Sequence, residues 1–193
     1  MDQNRKLFWY SRRGLWILYL VSAFPIHLWT IILILNDFAW VSERTNVWDA
    51  IGVGAYGLLY AFMESAVVWL VIILLGFLLP RGWDEQKRIA MLSVLYWVAA
   101  LWAIGGQLYF LLEMGPPPVL VQFLVESGRP LRLLYGAAFL LVGATVFVPL
   151  MWLIRSSRAV QVMQEVIERV SLLTIIYLFF DLIAGVVVLV RNL

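Results

Sequence analysis

The stretch LWILYLVSAFPIHLWTIILIL, residues 15–35, decides the fold of this chain. Only Ser22, Pro25, His27 and Thr30 interrupt its apolar character, and it carries no Asp, Glu, Lys or Arg. An α-helix rises about 1.5 Å per residue and the hydrocarbon core of a bilayer is about 30 Å thick, so a run of this length crosses the membrane once. A membrane barrel strand would alternate polar and apolar residues over about ten positions. A continuous run must instead close its peptide hydrogen bonds internally, which only a helix does.

Four more runs follow the same logic: residues 55–79, 89–112, 133–154 and 170–190. Hydrophobic residues make up 64% of the chain and charged residues 13%, too apolar a mixture for a soluble domain of this size to cover its surface. The expectation is an all-α integral membrane protein. It is a five-helix transmembrane bundle with one short interfacial or re-entrant helix, and residues 1–193 form a single transmembrane domain. Its first partner is the lipid bilayer.

Basic residues orient it. With the N-terminus inside, Arg5, Lys6, Arg12, Arg13, Arg81, Lys87, Arg88, Arg155, Arg158 and Arg169 lie on the inner side. Arg44, Arg129, Arg132 and Arg191 lie outside. This positive-inside bias predicts a cytoplasmic N-terminus and an external C-terminus. The start of the chain resembles a secretory signal, but the apolar run continues too long for a signal core, so an uncleaved first span is expected. Trp9, Trp16, Trp40, Trp48, Trp83 and Trp152 fall near predicted span ends, where an indole suits the lipid–water boundary. The charge bias fits a bacterial inner (plasma) membrane, and several eukaryotic membranes as well.

Composition narrows the chemistry. The absence of cysteine excludes disulfides and thiolate chemistry. A single histidine excludes bis-histidine haem and most zinc arrangements. No cofactor or metal is expected, and a net charge of +2 with its bias on one membrane face gives no reason to expect nucleic acid.

The connectors carry two features. Residues 37–54 read as an outer loop, and Gly52, Gly54 and Gly57 match the spacing G-x-G-x-x-G. A dinucleotide site needs a preceding strand and a following helix in a βαβ unit, whereas these glycines enter a membrane helix from the outer side, so they read as a flexible entry followed by close helix packing. In the second outer connector, prolines 116–118 precede the apolar residues 119–125, and Gly128-Arg129-Pro130 follows. That pattern predicts a short helix on the outer face or dipping into it as a lid. Inside, residues 155–169 show helical periodicity and extend the fifth span.

Polar groups inside the runs are the candidate site. A central Asp in a span costs about 2.5–3.5 kcal/mol on insertion scales, so such groups face protein or water. Glu64 and Asp181 both fall near mid-span, each with a tyrosine four residues earlier on the same helix face, Tyr60 and Tyr177. Each phenol is placed to hydrogen-bond its carboxyl group. His27 follows Pro25, which frees the carbonyl of Val21. Gln107 shares a face with Ala100 and Ala103. In a compact bundle His27, Glu64, Gln107 and Asp181 are expected to converge in the outer half of the membrane. Such a cluster either fixes helix register as a protonated network or handles a proton, cation or lipid head. Trp29, Trp69, Trp97 and Trp102 lie deeper, as packing residues or as walls for a hydrophobic ligand.

In span number and tryptophan content (ten) the chain resembles the tryptophan-rich sensory (translocator) proteins. The resemblance is one of composition, and no residue role is carried over from it. Three function classes follow from the residues. The first is a small transporter or channel-like protein using the intramembrane carboxylates. The second is a non-catalytic accessory or assembly subunit of a larger membrane complex. The third is an intramembrane lipid-modifying enzyme with His27 in its chemistry. Ala99, Ala103, Gly106, Gly136 and Gly143 suit close helix contacts within the chain, in a homo-oligomer, or with other membrane protein subunits.

Overall fold

The computed structural model describes residues 10–80 and 82–193. Arg5, Lys6, Trp9 and Arg81, used above for orientation and the interface, lie outside them. Among the described residues the chain forms six helices: α1 (Arg12–Arg44), α2 (Val47–Gly76), α3 (Glu85–Leu111), α4 (Pro118–Glu126), α5 (Pro130–Arg155) and α6 (Ser157–Asn192). All but α4 are long and apolar enough to span a membrane. The protein is an all-α membrane bundle. The ends are called inner and outer here after the basic-residue bias.

The helices outrun the apolar stretches. Residues 37–54, read as a loop, are helical except for a tight turn at Thr45 and Asn46. The turn closes α1 through Thr45, whose N–H and hydroxyl both donate to the Val41 carbonyl. It opens α2 through the Asn46 side chain, which accepts from the Asp49 N–H at 2.9 Å. Polar residues form helix as readily as apolar ones once capped, so the end of the apolar run marks the lipid edge and not the helix end. The glycines serve packing. A side chain at Gly54 would sit 3.2 Å from Ile34 of α1, and one at Gly52 would collide with the Arg191 guanidinium. That guanidinium ion-pairs with Asp49 and donates to the Trp48 carbonyl, fastening the outer ends of α2 and α6.

The short helix α4 forms as expected, with Pro118 in its first turn and no buried residue. It touches α5 alone among the helices. The periodic segment after Arg155 is also helical: Ser156 ends α5 and caps α6.

The core surrounds α1, which packs on α2, α3 and α6. Leu18, Val21, Ser22, Ala23 and His27 are fully buried along it. Neighbouring helices clamp its carbonyls. Pro25 leaves the Val21 carbonyl without its helical donor, and the Trp97 indole N–H of α3 takes that place at 3.2 Å. Tyr96 donates to the Ser22 carbonyl at 2.7 Å, and Trp69 of α2 donates to that of Leu15 at 2.9 Å. Trp69 and Trp97 are therefore bonded packing residues. Buried Ser22, Ser65, Ser93 and Thr174 each donate to the carbonyl four residues back, so their hydroxyls need no partner across the helix contacts.

Around α3 the packing opens toward the outer end and is tight at the inner end. Tyr10, Leu18, Val21, Ile72, Ile89, Leu92 and Ile167 form one cluster there, and Ala90, Met91, Leu153 and Ala159 a second. Burial pushes the Tyr10 phenol above its usual range, with Arg88 pulling it back and Glu85 adding to the rise. The buried residues of α3 stop at Ser93, and Leu153 is the buried residue of α5. The outer half of α3 is thus left with a groove on each side.

Candidate functional site

The buried pair comes first. His27 is fully buried and Asp181 is 6% exposed, and they join α1 to α6. His27 Nε2 lies 2.9 Å from Asp181 Oδ2, and Nδ1 lies 2.8 Å from the Ala23 carbonyl. A carbonyl oxygen can only accept, so Nδ1 carries a proton. The Nε2–Oδ2 contact then holds a single proton, whether on the imidazole or on the carboxyl group. In either state the pair is neutral overall, the condition under which two ionisable groups tolerate burial. Asp181 Oδ1 and the hydroxyl of Tyr19 are buried without a hydrogen bond among the described residues.

Tyr177 does not bond to Asp181, contrary to expectation. Its ring stacks on His27 and Phe24, with centroids 6.3 and 6.1 Å away. Sharing a face with Asp181 brought it to α1, but the aromatic surface there engages the ring and not the hydroxyl.

Glu64 has a different setting. It lies near the middle of α2, about 26 Å from the start of the helix at Val47 and about 18 Å from Gly76. Its side chain is exposed and, among the described residues, has neither a hydrogen-bond nor an ion-pair partner. It lines a groove of about 360 Å³ between α1, α2 and α3. Thr30, Trp29 and Ile26 come from α1, and Tyr96, Ala100, Ala103 and Gln107 from α3. Tyr60 is not part of this groove and is 76% exposed. Four residues advance a helix by about 400°, so Tyr60 stands roughly 40° round α2 from Glu64, enough to face the lipid while Glu64 faces α3.

The expected four-residue convergence is corrected accordingly. His27 meets Asp181, and Glu64 shares a groove with Gln107, but the groove is lined by α1 residues on a different face from His27. The sequence reading missed Thr30 and Tyr96 as site residues. The signal was available on α3, where Tyr96, Ala99, Ala100, Ala103 and Gln107 recur at helical spacing on one stripe.

A second, wholly uncharged groove of about 760 Å³ lies on the other side of α3. Trp102, Gly105, Gly106, Tyr109 and Thr145 of α5 line it, and the Trp102 indole donates to the Thr145 hydroxyl at 3.0 Å. No group of three or more His, Asp or Glu among the described residues is arranged to hold a metal ion.

Comparison with protein-family models, curated proteins and solved structures finds no match to this chain. The likeness to the tryptophan-rich sensory proteins therefore stays one of composition, and the site must be read from its own chemistry.

Proposed function

We propose that this protein is a small membrane transport protein in which Glu64 binds and releases the transported proton or cation. The observation that carries the reading is the setting of Glu64: a carboxyl group at mid-helix in a span, open to a groove and, among the described residues, without a hydrogen-bond or ion-pair partner. A structural carboxyl at that depth would be hydrogen-bonded, because an unsatisfied one is expensive. Asp181 meets that structural condition through His27, so the path is assigned to Glu64 alone.

The test is flux into proteoliposomes under an imposed pH gradient. Glu64→Gln is expected to reduce flux at least about tenfold, the effect of losing roughly 1.4 kcal/mol of site affinity. Asp181→Asn should keep most of it. Undiminished flux in Glu64→Gln would reject the assignment.

A second reading, an accessory subunit, is supported by Gly105, Gly106 and Gly136, which face open space. Small residues on a bare face suit a partner helix more than lipid. Native mass spectrometry from the source membrane tests it: a stoichiometric foreign subunit would support it, and a chain without protein partners would remove it. The enzymatic reading has no comparable support, since His27 has no exposed surface.

A further inference from the structure

The groove at Glu64 has a composition that selects among cations. We propose that it takes a lipophilic organic cation, an ammonium or its equivalent on an apolar body, in preference to a bare metal ion. This rests on the transport reading and names its substrate class.

Three features of the groove support the assignment. The first is charge. Among the described residues Glu64 is the only charged one lining it, so the site presents one carboxylate with no described Lys or Arg beside it. A carboxylate at bilayer depth is stabilised by a cation that arrives with its own apolar cover. The second is the poverty of oxygen ligands. The lining side chains offer the two oxygens of Glu64, the amide oxygen of Gln107 and the hydroxyl of Thr30. The Tyr96 hydroxyl donates its proton to the Ser22 carbonyl, which leaves its oxygen as one further acceptor. Calcium takes about six to eight oxygens and magnesium demands a near-ideal octahedron, so these ions would keep much of their water. An ammonium group needs only the carboxylate and one or two acceptors.

The third feature is the wall. Tyr96, with its hydroxyl tied down, presents a fixed ring, and Trp29 adds an indole on the facing helix. Aromatic faces attract cations and cover apolar bodies equally well. Ala99, Ala100 and Ala103 keep the α3 side shallow, leaving room for a hydrocarbon portion. The volume, equal to about a dozen waters, suits a ring-sized group with its charged head. Both the amine head of a membrane lipid and a free amphiphilic amine have this chemistry.

Tetraphenylphosphonium is a suitable probe because its charge does not change with pH. Equilibrium dialysis against the full chain in dodecyl maltoside, which contains no amine, should show saturable binding. Glu64→Gln should weaken it at least about tenfold, Glu64→Asp should recover part of the loss, and Trp29→Leu should weaken it less than Glu64→Gln does. Sodium or potassium chloride should not displace the probe beyond the effect of ionic strength seen with choline chloride. Displacement by phosphatidylethanolamine but not by phosphatidylglycerol assigns the site to a lipid head. Displacement by dodecylamine alone assigns it to a free amine. Both outcomes uphold the class. Absent or non-saturable binding, binding indifferent to Glu64→Gln in a variant that elutes like the parent, or specific displacement by sodium or potassium overturns it. Glu64-dependent proton flux without probe binding would overturn the substrate class and leave the transport reading intact. Loss of both would overturn the two together.

Discussion

Glu64 and Asp181 are carboxyl groups in the middle parts of two long apolar helices, and the bundle treats them oppositely. Asp181 is closed in against His27 with a proton between them, whereas Glu64 stands open to a groove with no partner. The difference follows from where each helix meets α1. The middle of α6 meets α1 at the fully buried His27, and Asp181 is enclosed there. α2 and α3 pack closely toward the inner end and diverge beyond it, so Glu64 opens onto the gap. One helix bundle thus holds one carboxyl group in a bonded pair and leaves the other open to a groove.

The largest expected effect breaks the closed pair. His27→Ala leaves Asp181 buried and alone, and should lower stability to unfolding in mixed micelles by about 3 kcal/mol. That is the low end of the range for a broken buried pair. Asp181→Asn should cost less than about 1 kcal/mol. The amide N–H can donate to Nε2 of the same Nδ1-protonated imidazole, and hydrogen bonds between membrane helices are worth about 0.6 kcal/mol on average. An equal loss in both variants would show that the shared proton resides on the imidazole, as an imidazolium–carboxylate pair.

A smaller effect is expected at Tyr177. Tyr177→Leu keeps an apolar body on α6 but removes the stack on His27 and Phe24. Aromatic pairs contribute about 0.5–1.5 kcal/mol beyond their buried area, and the loss should fall in that range. If Tyr177→Phe matches the parent in the same unfolding titration, the ring and not the hydroxyl is what α1 recognises. A Phe variant as weak as the Leu variant would restore the hydroxyl to the site.

Spans, the outer short helix and the inner extension of α6 were legible because each rests on local periodicity and on Pro, Gly or Ser at an end. The freed carbonyl at Val21 was legible too, from Pro25 alone, though not that Trp97 would fill it. His27 and Asp181 were legible as members of one cluster with Glu64 and Gln107, but not as the pair that bonds across 154 residues. Spacing puts Tyr177 and Asp181 on one helix face, yet it cannot say what that face meets, and Tyr60 beside Glu64 shows that the same spacing can end in lipid. Nor did the sequence mark α1 as the central helix, since all five spans are predominantly apolar and each carries a few small or polar residues. In water an amphipathic stripe would have distinguished buried from exposed faces, but in lipid both are hydrophobic.

The smallest expected change in stability is at Glu64, and it separates the two carboxyls most sharply. Glu64→Gln preserves shape and removes a carboxyl group that no hydrogen bond or ion pair among the described residues holds, so unfolding should shift by no more than about 0.5 kcal/mol. Transport should nonetheless fall, as set out above. The combination matters more than either value, because an anchored acid such as Asp181 should lose stability when its partner goes and leave transport largely untouched. If Glu64→Gln instead destabilised the bundle by as much as His27→Ala, the carboxyl group would have a structural partner and the groove would be closed in the membrane. The transport reading would then lose its foundation.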